Sequence, residues 1–255
     1  MAFTFGGFDT RNLDRLIAPL KTWPSLAGRS PATTDIPGMD GVFYGGANLG
    51  ALTLTFDAIA QAASQAAVQT VVDQLMQALA PAPLQPLTPQ GYEGFAWQAS
   101  LAGPVAWQYG QWLPGLPWQM RADIAFLAPD PYGYASPDET FTGTSTINIV
   151  RAKGNMASWP RIEITGSFTA VTLTAGTWTL TVTAKVTSGQ VLVLDFATQD
   201  YAIWDQAMAT KMAHIAQGMS GFDRLTLPMG STILGVAASG GSVTSVTVCA
   251  NSRRA

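Results

Sequence analysis

Apolar and polar residues alternate with period two along Leu52, Thr53, Leu54, Thr55 and Phe56. That spacing predicts strands over residues 41–56, with one face buried and the other wet. The period then changes. Val68, Val71, Val72, Leu75, Met76 and Leu79 fall at i, i+3, i+4, i+7, i+8 and i+11, one apolar stripe of a helix. Asp57 fits an N-cap, and Pro81-Ala82-Pro83 fits a stop. The expected helix therefore runs from about Asp57 to Ala80. Its opposite face carries Gln61, Ser64, Gln65, Gln69, Thr70, Asp73, Gln74 and Gln77, among which only Asp73 is charged. A helix packed on a sheet explains the stripe. The neutral polar face adds a case for contact on both sides, so Gln69, Asp73 and Gln77 are interface candidates.

Elsewhere the pattern is mostly that of strands. Residues 1–40, interrupted by Pro19, Pro24, Pro31 and Pro37, predict an extended arm with one short helix near Asp14–Leu20. Residues 81–91 read as a proline-rich linker. Residues 92–127 read as strands with turns at Gly103-Pro104, Gly110 and Pro114-Gly115. Trp97, Trp107, Trp112 and Trp118 lie there, half of the chain's eight tryptophans. Such a cluster fills cores and subunit contacts, or stacks sugars. Residues 135–142 read as a linker. From 143 onward, Thr alternates with Val, Leu or Trp over Thr169–Thr174 and Thr177–Thr187, and Gly176 and Ser188-Gly189 mark hairpin turns. Val191–Phe196, Thr232–Val236 and Val243–Val248 continue the pattern, which predicts an antiparallel sandwich. Trp204–Gln217 is expected as a short helix or a loop.

Composition sharpens this picture. The chain has 255 residues, of which 47% are hydrophobic and only 11% charged. An average soluble domain is about 25% charged. Disorder is excluded by the aromatic content, and the scarcity of charge points to surface buried against other subunits. The net charge is −3, with residues 1–130 at −4 and residues 131–255 at +1. No basic stripe offers a footprint for nucleic acid, and no polybasic segment one for anionic lipid. One cysteine, Cys249, and one histidine, His214, leave no internal disulfide and no Cys/His zinc site. No metal or cofactor is expected. The N-terminus lacks the pattern of a signal peptide, and no apolar run reaches 18 residues.

Catalytic patterns are missing. Neither G-x-x-x-x-G-K-[ST] nor G-x-G-x-x-G after a strand nor G-x-S-x-G occurs. His214 is the only histidine base available, and it lies in the apolar stretch Met212-Ala213-His214-Ile215-Ala216. Asp195, Asp200 and Asp205 are the only candidate carboxylate cluster, and Asp195 ends a strand where Asp commonly bonds its own backbone. The expectation is a protein that is not an enzyme.

Four segments resemble a known family in order and spacing. They are Gly154-Asn155-Met156-Ala157-Ser158-Trp159-Pro160-Arg161-Ile162-Glu163-Ile164-Thr165-Gly166, Gly189–Asp195, Phe222–Gly230 and, upstream, Ile124–Tyr134. They resemble the strand openings, the Asp-terminated hairpin, the L-x-P-G turn and the Asp-Pro-Tyr junction of distal tail proteins from long-tailed, non-contractile bacteriophages. Met229 stands between the Pro and Gly of that turn.

The resemblance implies a mainly β (α+β) protein: a β-sandwich or barrel-like ring domain with one long helix over 1–138, and a galectin-like antiparallel β-sandwich over 139–255. It implies a structural hub, a homohexameric ring at the virion's tail tip assembled in the host bacterial cytoplasm. The ring would join the tail tube protein and the tape-measure protein to hub, fibre and receptor-binding proteins. DNA would pass through its channel without specific binding, and no membrane anchor would be needed. Galectins bind sugar through a His, Asn, Arg and Trp set, and His214 lies outside the predicted strands, so sugar binding is not carried over. A carbohydrate-binding adhesion module remains the alternative, and would need Trp97, Trp107, Trp112 or Trp118 exposed in a groove. A wall-degrading hydrolase is a third, and would need Asp195 facing a second carboxylate in a cleft.

Overall fold

The computed structural model describes residues 2–21, 28–35, 42–80, 83–110, 116–215, 219–220 and 224–255. Contacts divide the chain into a first unit, residues 1–133 with Ala255, and a second, residues 134–254. Both are antiparallel β structures, and Gln65–Ala78 is the one α-helix among the described residues. The mainly β expectation with a single long helix is therefore met.

The first unit is organised by two eleven-residue strands. Leu52–Ala62 pairs with Trp118–Ala128 along its whole length, from Leu52 opposite Ala128 to Ala62 opposite Trp118. On the first strand Leu52, Leu54, Phe56, Ala58, Ala60 and Ala62 are buried, while the residues between them are not. The sheet continues through Phe95–Leu101, Gln85–Pro89, Phe3–Phe5 and Phe8–Asp9 on one side, and ends at Leu16–Ile17 on the other. Aromatic rings knit its interior. Phe3 lies 4.5 Å from Phe56 and 5.4 Å from Phe126, and Phe5 lies 4.9 Å from Phe126, centroid to centroid. Tilted and edge-on contacts of this kind add to the area each ring buries.

Several expected elements change here. The helix begins at Gln65, not at Asp57, because the period-two strand runs on to Ala62. Ser64 is the N-cap, and its hydroxyl accepts a hydrogen bond from the Ala67 N–H at 3.2 Å. The stripe itself holds: Val68, Val72, Leu75 and Leu79 are buried, and the helix packs on the two long strands. No helix forms near Asp14–Leu20. That stretch contributes the short strand Leu16–Ile17, and the preceding residues form a hairpin with Gly6 and Gly7 at φ +56° and +87°. The supposed linker 81–91 supplies the strand Gln85–Pro89, paired between Phe3–Phe5 and Phe95–Leu101. Pro81 and Ala82 lie outside the described residues.

The second unit is a sandwich folded around one strand. Arg161–Ala175, fifteen residues long, pairs with Ser242–Cys249 and Gln190–Asp195 through its first half. Through its second half it pairs with Gly230–Ser239 and Trp178–Val186. The change of partners coincides with register shifts at Thr165/Gly166 and Phe168/Ala170. Gly166 sits at φ +154°, and a Cβ there would collide with the Ser242 carbonyl, so the bend requires glycine. Ile162, Ile164, Phe168, Val171, Leu173, Leu192, Leu194, Val246 and Val248 form the core between the layers. Residues 135–142 are not a plain linker, since Thr140–Gly143 pairs with Ser242–Cys249. Within Trp204–Gln217 the described residues form no helix. Lys211–His214 pairs with Asp200–Asp205.

Candidate assembly surfaces

On the helix, the polar face points away from the core. Gln69 Nε2 donates to Asp73 Oδ1 at 2.9 Å, and Gln65 Nε2 donates to the Tyr109 hydroxyl at 3.3 Å. Asp73 and Gln77 are exposed, and Gln69 is half-buried. The three helix candidates thus share one polar surface, whose single charge is Asp73.

The tryptophans separate. Trp97 is 1% exposed; its Nε1–H donates to the Pro131 carbonyl at 3.2 Å, and its ring meets Tyr92 edge-on at 5.6 Å. It is a core residue and cannot touch a partner or a sugar. Trp107 is half-buried against the helix side of the core, with Nε1 3.5 Å from the Met76 sulfur. Trp118 is half-buried against the cluster of Ala60, Ala62, Val68, Val72 and Met120. Trp112 lies outside the described residues. Trp97, Trp107 and Trp118 do not build the groove that the carbohydrate-binding alternative would need.

The outer face of the long-strand pair was not among the sequence candidates. Arg121 donates to both oxygens of Asp57, at 2.7 and 2.5 Å, and Lys21 donates to Asp123 at 2.7 Å. Asp57 and Asp123 are direct cross-strand partners. Each cation is diagonal to or beside a carboxylate, so this face is neutral as a whole. Asp57 holds the Arg121 guanidinium pKa above its ordinary value. The signal was present in the alternation continuing through Ala58, Ala60 and Ala62, which places Asp57 on the wet side.

In the second unit a buried polar node joins four distant segments. Arg151 is 2% exposed, and its guanidinium donates to the Leu227 carbonyl at 2.5 Å, the Met156 carbonyl at 3.1 Å and Ser252 Oγ at 3.2 Å. Glu139 accepts from the N–H groups of Ala152 and Lys153 and from the Ser252 hydroxyl. Asp138 accepts from the N–H groups of Asn251 and Ser252. Burial pushes the Glu139 carboxyl up, but these hydrogen bonds and the Arg151 charge outweigh it, leaving its pKa below the ordinary value. Arg253 lies 4.0 Å from the Trp159 ring centroid, a cation–π contact.

The residues considered for catalysis are committed elsewhere. Asp195 Oδ1 accepts from the N–H groups of Ala197 and Thr198, and Asp205 Oδ1 from those of Ala209 and Thr210. Both cap turns. Asp200 pairs with Lys211 at 2.5 Å, and His214 Nδ1 stands 3.4 Å from it on an exposed edge strand. Burial pushes the Cys249 thiol up, which disfavours the nucleophilic thiolate. No group of three or more His, Cys, Asp or Glu able to hold a metal occurs among the described residues. No helix among them is long and apolar enough to cross a membrane.

This geometry, two antiparallel units with a single helix packed on the first, has known counterparts. Residues 19–105 match the family model described as a phage tail protein RIFT-related domain. The SPP1 Dit protein superposes with a TM-score of 0.67 at 16% identity, over 97% of this chain and 96% of that one. The chain has the fold of a phage distal tail protein. The structure of SPP1 Dit is described as a paradigm of the hub adsorption apparatus in phages infecting Gram-positive hosts. Chains of the phage P2 baseplate in its activated conformation also align, at a TM-score of 0.43. With Ca the identity is 11%, covering 97% of this chain and 93% of that one; with Sr it is 10%, covering 97% of each. No curated protein matches.

Proposed function

We propose that this protein is a structural hub of a phage tail tip, a ring of six copies joining the tail tube to the adhesion apparatus. The observation that carries the reading is the tail-domain match over residues 19–105, set within a fold shared with SPP1 Dit along nearly the whole chain. The first unit, residues 1–133, forms the ring, and the polar face of Gln69, Asp73 and Gln77, with its single charge, lies against a neighbour. The second unit carries the attachment of fibre or receptor-binding proteins. Tube and tape-measure proteins are the partners on the other side, and DNA passes without specific contact. A heterologous interface whose rotation closes yields such a ring. The protein acts within the virion and performs no chemistry of its own.

Native mass spectrometry of the purified 26.9 kDa chain tests the reading. Six copies are expected, alone or on adding tail-tube protein. Monomers alone under both conditions would overturn it. No specific observation favours the carbohydrate-binding alternative, because Trp97 is buried and Trp107 and Trp118 are packed against the core.

A further inference from the structure

We propose that a groove in the second unit takes up an extended, acidic segment of another protein; this rests on the reading of that unit as the place of attachment. The groove begins as a gap in a sheet. Gly230–Ser239 pairs with Thr146–Arg151 on one side, from Gly230 to Gly235. On its other side Arg161–Ala175 pairs only from Gly235 to Ser239, and that strand ends at the Gly176 turn. Residues 230–234 therefore have no strand among the described residues on that side. An unpaired strand edge is a template for a further strand, and extended peptides dock on such edges.

An open groove of about 630 Å³ lies along this stretch. Buried Leu225 and half-buried Trp178 line it together with the exposed side chains of Pro228 and Ile233. Ile233 is 62% exposed although it stands in the middle of a paired strand. Val150, diagonal to it across the pair, and Met229 are exposed as well. Apolar side chains grouped in this way mark a surface that another chain covers.

Charge selects the occupant. Arg224 is the one charged residue in the lining, and no carboxylate among the described residues forms an ion pair with it. Its guanidinium stands 5.2 Å from the Trp159 ring centroid, a contact that positions the charge without neutralising it. A single guanidinium suits a single carboxylate. Nucleic acid and anionic lipid call for several cations together. A second copy of this chain is a poor donor, because the carboxylates of its strands are engaged. Asp9 is held by Arg11, Asp57 by Arg121, Asp123 by Lys21, Glu163 by Arg161 and Asp200 by Lys211. Asp195 and Asp205 accept from the backbone of their own turns. The segment therefore belongs to a protein of different sequence, with apolar side chains for Trp178 and Ile233 and a carboxylate for Arg224.

The probe is a capped peptide of about seven residues, the length of an ordinary strand, alternating leucine and aspartate. It is titrated into the nitrogen-15-labelled full chain. The Trp178 indole resonance, assigned with Trp178→Phe, is expected to shift and saturate. Arg224→Gln and Ile233→Glu alter exposed side chains, so both variants should keep the parent's spectrum elsewhere and raise the dissociation constant at least about tenfold. A peptide with lysine in place of aspartate should bind more weakly than the parent probe by a similar factor. No shift at Trp178, equal binding of the lysine peptide, or unchanged affinity in Arg224→Gln overturns the proposal. Native mass spectrometry of the same sample separates the two readings. Six copies without peptide binding remove the groove and leave the ring; peptide binding by a chain that never assembles does the reverse.

Discussion

Glu139 shows how much one side chain organises. Its carboxylate holds the backbone at Ala152 and Lys153 and the hydroxyl of Ser252, next to the buried Arg151. Its pKa lies below the ordinary glutamate value of about 4.3. The stabilisation it contributes is therefore present above that ordinary value and lost as pH falls through the lower folded value. Denaturant melts of the parent should show stability falling as the solution is acidified below about pH 4.3. Glu139→Gln should destabilise by about 1–3 kcal/mol at neutral pH and flatten the acid-side slope. An unchanged slope would show that Glu139 is not the group responsible. Arg151→Met should cost more, about 3–5 kcal/mol, because it removes the buried cation that faces Glu139 and Asp138. This node was illegible in the sequence. Arg151 and Ser252 stand 101 residues apart, and no local pattern joins them.

At the scale of elements, what could be read was what repeats locally. The stripe Val68, Val72, Leu75 and Leu79 was legible because large aliphatics at helical spacing have one packing solution. The helix start was not. Ala58-Ile59-Ala60-Gln61-Ala62 suits a helix by propensity and a strand by alternation. The choice was made by Trp118–Ala128, some sixty residues away, which pairs with every rung. The Thr-rich strands of the second unit were legible, while Thr140–Gly143 and Lys211–His214 were not, being short pieces whose only reason to be strands is their partner. Two variants probe the helix. Val72→Asp places a charge at a site 3% exposed, so the first unit should unfold, read as loss of a cooperative transition. Gln69→Glu with Gln77→Glu should leave the subunit's melting temperature within a few degrees of the parent but weaken assembly. Full assembly of the double variant would remove this face from the interface.

For the whole molecule, the scarcity of charge and the way it is distributed decide what can hold copies together. On the long-strand face Arg121 and Lys21 already have Asp57 and Asp123 as partners within the chain. The polar face of the helix carries one charge, Asp73. An interface made from such surfaces draws on apolar burial and neutral hydrogen bonds, with few ion pairs between copies. Salt distinguishes the cases. At 1 M ionic strength the screening length falls to about 3 Å, against about 10 Å at 0.1 M, so exposed ion pairs between copies weaken strongly. Apolar contacts do not. Assembly followed by light scattering should therefore be unchanged within about threefold in the dissociation constant between 0.05 and 1 M sodium chloride, a span over which exposed pairs are largely screened. Moderate urea, which solvates apolar and peptide groups alike, should dissociate the proposed ring before the subunits unfold. Dissociation by salt alone would mean that charges outside this surface bind the copies, and would move the interface away from the helix face.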